Sequence, residues 1–226
     1  RHVKVNTHLL WTDELTLNLF DDVSVIAIRD KLLDKVKGTS TWIGHVENEL
    51  NSDVFLTIRG KTMSGTVRIG SNLYEIESKG NNQHTIIQLD PKKNPPLSKP
   101  LNAESAEFQP DQNTADIYSE PSTSFNSTSA GAETTGGTVI DLLVVYTTQS
   151  KNNASGQSAI EAKISNAIAG ANQAYINSNV DIQLNVVHMA ETSYVETGDM
   201  TVSLRNIADP ADGVIDEVPT LRNQYA

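Results

Sequence analysis

Thr138-Val-Ile-Asp-Leu-Leu-Val-Val-Tyr146, Ala171-Asn-Gln-Ala-Tyr-Ile-Asn-Ser178 and Ile182-Gln-Leu-Asn-Val-Val187 decide how this 226-residue chain is read. The first stretch is a nearly continuous apolar run, the pattern of a strand buried on both faces. Between it and the second stretch, Ile160, Ile164, Ala167, Ile168, Ala171, Ala174 and Tyr175 recur at helical spacing. Ser158 followed three residues later by Glu161 predicts a capping box at the helix start, and Asn177-Ser-Asn179 predicts its end. The third stretch is a second strand, over 180–189. The unit is therefore a strand–helix–strand beginning, with a helix packed on a largely parallel sheet. Two strands cannot cover their own apolar faces, so 137–226 is expected to need further sheet and not to fold stably alone.

Upstream, residues 42–90 read as short strands at regular spacing. Trp42-Ile-Gly-His-Val46, Val54-Phe-Leu-Thr-Ile58, Gly65-Thr-Val-Arg-Ile69, Leu73-Tyr-Glu-Ile76 and Thr85-Ile-Ile-Gln-Leu89 are rich in β-branched and aromatic residues. Arg59-Gly-Lys61, Gly70-Ser-Asn72 and Lys79-Gly-Asn-Asn82 supply turn chemistry between them. This predicts an antiparallel meander with one face packed and one wet. Alternation at 15–19 adds a strand, and Ile26 to Val36 reads as a short helix. Trp11 and Trp42 are expected core anchors. The predicted fold class is α+β in two parts: a β-meander domain over 1–105 and an incomplete α/β part over 137–226. Between them, six prolines fall in 91–121, and Ser, Thr and Gly crowd 122–137. Few apolar residues there offset the entropy of ordering, so 106–136 reads as a flexible connecting segment.

The last stretch, Gly198 to Gly213, reads as loop with a short helical turn at 201–207. Ile215, Val218, Leu221, Arg222 and Tyr225 then follow helical spacing, with Pro219 acceptable in the first turn.

Composition excludes several function classes. A net charge of −11 without a basic stripe leaves nothing to neutralise nucleic-acid phosphates. No apolar run approaches the length of a membrane span. No signal-peptide pattern opens the chain at Arg1-His-Val3. With no cysteine, disulfides, thiolate metal sites and cysteine nucleophiles are absent from these residues. The five histidines, His2, His8, His45, His84 and His188, form no metal-like cluster in sequence and read as surface or internally satisfied groups.

The order of features in 137–226 resembles the upper subdomain of reprolysin-like metzincins, and among them the bacterial peptidyl-Asp metallopeptidases. Ile140-Asp-Leu-Leu-Val-Val-Tyr-Thr147, Ala171-Asn-Gln-Ala-Tyr175, Asp212-Gly-Val-Ile-Asp216 and Leu221-Arg-Asn-Gln-Tyr225 carry the likeness. Leu17-Asn-Leu-Phe-Asp21, Trp42-Ile-Gly44 and the strands ending at Ile86-Ile-Gln-Leu-Asp90 resemble a reprolysin-type propeptide. The resemblance implies the zymogen of a secreted bacterial zinc endopeptidase acting on protein or peptide substrates. Its propeptide would keep the protease latent and assist its folding. The zinc motif His-Glu-x-x-His occurs nowhere in the chain, so zinc and catalytic ligands are expected beyond Ala226, and this chain alone is expected to be inactive. The remainder of the catalytic domain would then be its partner.

Many metzincin propeptides block zinc with a cysteine thiolate, which this chain lacks. A carboxylate can take that place, and the candidates are Glu104, Glu107, Asp111 and Asp116; the alternative is that they are solvated charges. Asp141 stands where animal reprolysins use an acidic residue for calcium, and it is either a calcium ligand or a hydrogen-bonded strand residue. Asp209, Asp212 and Asp216 lack the spacing and terminal Glu of an EF-hand and read as loop and cap residues. Two non-catalytic readings stand beside the protease: a cell-surface or periplasmic binding protein, and a stand-alone propeptide-like protease inhibitor.

Overall fold

A computed structural model describes residues 1–6, 10–36, 38–93, 137–209 and 213–225. Residues 1–90 and 137–226 make one compact unit. The expected connecting segment 106–136 lies outside the described residues.

Eight strands run through the N-terminal part: β1 (His2–Lys4), β2 (Glu14–Phe20), β3 (Val23–Val36), β4 (Thr39–Val46), β5 (Ser52–Arg59), β6 (Thr62–Ile69), β7 (Asn72–Ser78) and β8 (Gln83–Leu89). They form one sheet in the order β1-β8-β7-β6-β5-β4-β3-β2. From β2 to β8 each strand pairs antiparallel with its successor, and β1 pairs antiparallel with β8. Turn chemistry sets the register. Arg59 pairs with Thr62 and Ile69 with Asn72, which leaves the two-residue loops Gly60-Lys61 and Gly70-Ser71. Gly60 and Gly70 open these loops at φ 62° and 58°, a backbone that glycine adopts without steric cost.

One face of the sheet holds the main core. Trp42, Val54, Leu56 and Val67 are among its most deeply buried side chains, joined by Leu19, Met63, Tyr74, Ile76 and Ile86. Trp42 Nε1 donates to the carbonyl of Thr12 at 3.1 Å. Its ring leans over Gly44: a Cβ there would lie 2.5 Å from the indole and 2.0 Å from the Ile28 carbonyl. Leu10, not Trp11, enters this core; Trp11 is 58% exposed, against expectation.

The helix expected over Ile26–Val36 is instead most of strand β3. Residues 27–36 pair with β4 while the preceding part pairs with β2, with register shifts at 29/31 and 34/36. Pairing with β4 overrides the helical propensity of Lys31, Leu32 and Leu33.

The C-terminal part comprises β9 (Thr138–Thr147), α1 (Thr148–Asn153), α2 (Gln157–Asn177), β10 (Ile182–Thr192), α3 (Met200–Ala208) and α4 (Glu217–Tyr225). β9 and β10 pair in parallel and make a two-stranded sheet of their own. β9 is not buried on both faces as its apolar run predicts. Val139 is 57% exposed, Ile140 is exposed too, and Tyr146 alone on the strand is fully buried. Among the described residues β10 is the one strand paired with it.

The expected capping box is also absent. α2 starts at Gln157 behind Gly156, with no side-chain cap, and Glu161 turns to another use. Asp199 caps α3 by accepting from the amides of Thr201 and Val202. Ile215 was expected on the last helix but precedes it, in left-handed backbone at φ 60°. His188 on β10 stacks flat on Tyr225 of α4, with centroids 3.9 Å apart. No helix among the described residues is long and apolar enough to cross a membrane.

Candidate functional site

The meander was expected to leave one face wet. Over β4, β5 and β6 that face is covered by α2, and the polar chemistry of the described residues concentrates there. Alternation sends Trp42, Val54 and Leu56 to the core and turns Thr41, Ile43, Phe55 and Thr57 outward. Those outward residues are nonetheless buried.

α2 meets them with small residues. Ala159, Ala162, Asn166 and Ala169 recur at spacings of three and four and are all buried. With nothing bulkier than asparagine on that line, the helix can ride close to the strands. Ala169 packs with Ile43 and Phe55. Beside it, Asn166 accepts from the Thr57 hydroxyl at 3.2 Å and donates to the Thr66 hydroxyl at 2.8 Å. Thr57 in turn lies 3.0 Å from the Thr41 hydroxyl. These groups satisfy one another in a place where an unpaired polar atom is costly.

One turn earlier, Glu161 makes the charged part of the contact. Its side chain is 7% exposed, and its carboxylate pairs with the Arg59 guanidinium at 2.7 Å. The same carboxylate accepts from the Tyr146 hydroxyl at 3.2 Å and from the Gln157 amide at 2.8 Å. Arg59 also donates to the Thr39 hydroxyl at 3.1 Å. Burial, then the Glu161 charge, push the Tyr146 phenol up to about 12, so it remains a donor at ordinary pH. At the rim, Lys163 of α2 donates to Glu77 of β7 at 2.8 Å, and Lys79 joins from the other side at 3.1 Å. The Lys163 hydrogen bond holds the Glu77 carboxyl below its usual range against the opposing effect of burial, with Lys79 adding to it. The same contact raises Lys163. A groove of about 270 Å³ opens alongside, lined by Ser64, Glu77, Ser150, Asn153 and Lys163 among others.

The other side of α2 faces β10. Asn172 there accepts from the Leu184 amide at 2.7 Å and donates to the Leu184 carbonyl at 3.0 Å. Ile160, Ile164 and Ile168, expected to carry the burial of this helix, are only half-buried. At the end of β9, Glu196 accepts from Thr147 and Ser150, while Glu191 accepts from Thr148 and Lys151. These bonds lower both carboxyls and tie α1 to the segment that follows β10.

The residues singled out from sequence are scattered. Asp141 is exposed and accepts from the Asn185 side chain at 2.7 Å. Glu104, Glu107, Asp111, Asp116, Asp212 and His8 lie outside the described residues. Asp209 ends α3, and Asp216 accepts from the Gly213 amide. His45 pairs with Asp30 at 2.8 Å on the exposed side of the sheet, and His2 lies against Thr85. His84 is a core residue: its Nε2 accepts from the Met63 amide at 3.0 Å. Burial lowers its pKa, and the Asn82 backbone opposes that shift without closing a hydrogen bond to Nδ1.

Among the described residues no three His, Asp or Glu side chains gather in a way that could hold a metal ion. They do not fit a zinc centre. Sequence reasoning missed Arg59, Glu161, Asn166 and the threonines facing them. The available signal was the small-residue line Ala159, Ala162 and Ala169, which marks a second packing face on a helix otherwise read by its isoleucines.

The fold and this face define an α+β chain whose N-terminal sheet seats a helix of the C-terminal part, and similarity to known proteins relates that chain to the metallopeptidases. It is 27% identical over 237 aligned residues to the peptidyl-Asp metalloendopeptidase of Xanthomonas campestris pv. campestris, covering 99% of this chain and 54% of that protein. It is 26% identical to the peptidyl-Asp metalloendopeptidases of two Stenotrophomonas maltophilia strains, R551-3 and K279a, in each case over 89% of this chain and 48% of theirs. The chain thus spans about half the length of the curated relatives it matches. No protein-family model matches it.

Proposed function

We propose that this chain is the propeptide and the start of the catalytic domain of a secreted zinc metalloendopeptidase. Residues 1–105 are the propeptide domain, 106–136 the connecting segment and 137–226 the beginning of the protease. The observation that carries this reading is the seating of α2 on the sheet through Arg59 and Glu161. A propeptide that assists folding must offer its partner a surface the partner lacks, and here it covers the small-residue face of the first long helix. The similarity to metalloendopeptidases, over nearly the whole chain, supports the same reading and disfavours a non-catalytic binding protein.

The metal does not fit the described residues, and in this reading its ligands lie outside them. No hydrolytic step is assigned to Arg59, Glu161 or their neighbours; their work is to hold two parts together. Latency then rests on the sheet, with Glu104, Glu107, Asp111 and Asp116 as candidate blocking carboxylates.

The test is expression of the whole reading frame, followed by zinc analysis and a peptide-cleavage assay before and after removal of 1–136. Stoichiometric zinc and activity that rises on removal are expected. A reading frame without a zinc-binding motif, or a product equally active with the propeptide attached, overturns the proposal. Replacing the four carboxylates by their amides raises activity of the uncut form if one of them blocks zinc. Unchanged latency assigns it to steric cover.

A further inference from the structure

We propose that the N-terminal sheet and the part beginning at Gly137 remain a non-covalent complex after the chain is cut between residues 91 and 136, held chiefly by Arg59 on Glu161. The association stands on packing alone; its meaning as a second step of activation rests on the propeptide reading above.

Among the described residues the two parts share no strand pairing. β1 to β8 form one sheet and β9 and β10 another. What joins them in space is the side-chain face between α2 and β4–β6. That face holds the fully buried positions of the helix, Ala159, Glu161, Ala162, Asn166 and Ala169. The face turned to β10 is only half-buried. Separating the parts would therefore expose the best-packed side of α2 while leaving its looser side in place. It would also break the Asn166 bonds to Thr57 and Thr66 and take a buried carboxylate from its cation. Cutting a peptide bond in 91–136 alters none of these contacts.

The same geometry makes release possible. Glu161 draws Arg59 from the sheet but Tyr146 and Gln157 from its own part. On separation it keeps two neutral donors and gains water, and Arg59 keeps Thr39. The sheet face left behind carries Thr41, Thr57 and Thr66 between Ile43 and Phe55, which water can solvate in part. The polar groups of the contact thus keep partners or gain water on either side, as a releasable clamp requires. Lys163 on Glu77 sits at the solvent-exposed rim, where an ion pair contributes little. The buried pair, whose disruption leaves a charge without its partner, carries the selectivity.

The experiment places the recognition sequence of a site-specific protease within 91–136 of the full chain, cuts it, and follows the product by native mass spectrometry and light scattering. A 1:1 complex of the two fragments at micromolar concentration is expected. Glu161→Gln should raise its dissociation constant about ten- to a hundredfold, against less than about threefold for Lys163→Ala. If Glu161→Gln does not fold before cutting, Arg59→Lys, which keeps charge but loses the planar fork, serves in its place. Fragments that part at once on cutting overturn the proposal, as does equal weakening by the buried and rim variants. Neither result touches the peptidase reading, and a stable complex without peptidase activity in the whole gene product overturns that reading alone.

Discussion

The N-terminal sheet and the part from Gly137 onward are built on opposite principles. The sheet buries Trp42, Leu56, Val54, Val67 and Leu19 against one another, drawing its core from its own strands. From Gly137 on, the fully buried apolar side chains among the described residues are Tyr146, Ala159, Ala162 and Ala169. Larger ones stay at the surface: Val139, Ile140, Ile176, Val195, Leu204 and Met200, the last 82% exposed. One part supplies its own core. The other takes its tightest packing from its neighbour, because two strands and a helix have too little apolar area to offset the entropy of ordering them.

The largest effect expected from this contrast comes from dividing the chain. Residues 1–90 expressed alone should unfold cooperatively in urea, while 137–226 alone should show no cooperative transition. A sharp transition for 137–226 would break the contrast outright. Next in size is Gly44→Ala, whose Cβ has no room beside the Ile28 carbonyl and the Trp42 ring. It should cost at least as much as Trp42→Ala, about 3–5 kcal/mol by urea denaturation. A cost below 1 kcal/mol would mean that the ring is not locked over that glycine.

Asn166→Ala removes the partner of two hydroxyls and should cost about 1–3 kcal/mol. It should do so in the joined chain and leave the 1–90 fragment unaffected, since Asn166 is not part of it. A smaller effect is electrostatic. The Glu77 carboxyl is held below its unfolded value of 4.5, so its contribution is present above that pH and fades as pH falls through the lower folded value. At the rim this should amount to less than about 1 kcal/mol, and Glu77→Gln should remove the pH dependence over that window. Tyr146 runs the other way. Its folded value, about 12, lies above the ordinary 10.0, so its contribution is full below pH 10 and disappears as pH rises toward 12. Tyr146→Phe should flatten the alkaline limb of a stability–pH curve. An unchanged limb would show that the phenol does not report on the Glu161 site.

The meander was legible because its signals are local. Alternation over Val54–Ile58 and the glycines at Gly60 and Gly70 specify strands and hairpins without reference to anything distant. β3 was not, since Lys31, Leu32 and Leu33 suit a helix until the distant pairing with β4 claims their backbone. The α2 contact was half legible. The isoleucine stripe announces a helix, but the alanine line is silent about which surface covers it. Glu161 shows the limit most clearly: at the level of sequence it completes a capping box with Ser158, and in the fold it faces Arg59, some hundred residues away.

The sequence by itself determined the strands of the meander, the strand–helix–strand order after Thr138 and the absence of thiol chemistry. These follow from short-range periodicity, turn residues and composition. Only the tertiary structure decided that the second face of the meander is covered, by which helix, and through which charges. That outcome depends on side chains far apart in the chain, and on small residues whose value lies in the room they leave for a partner.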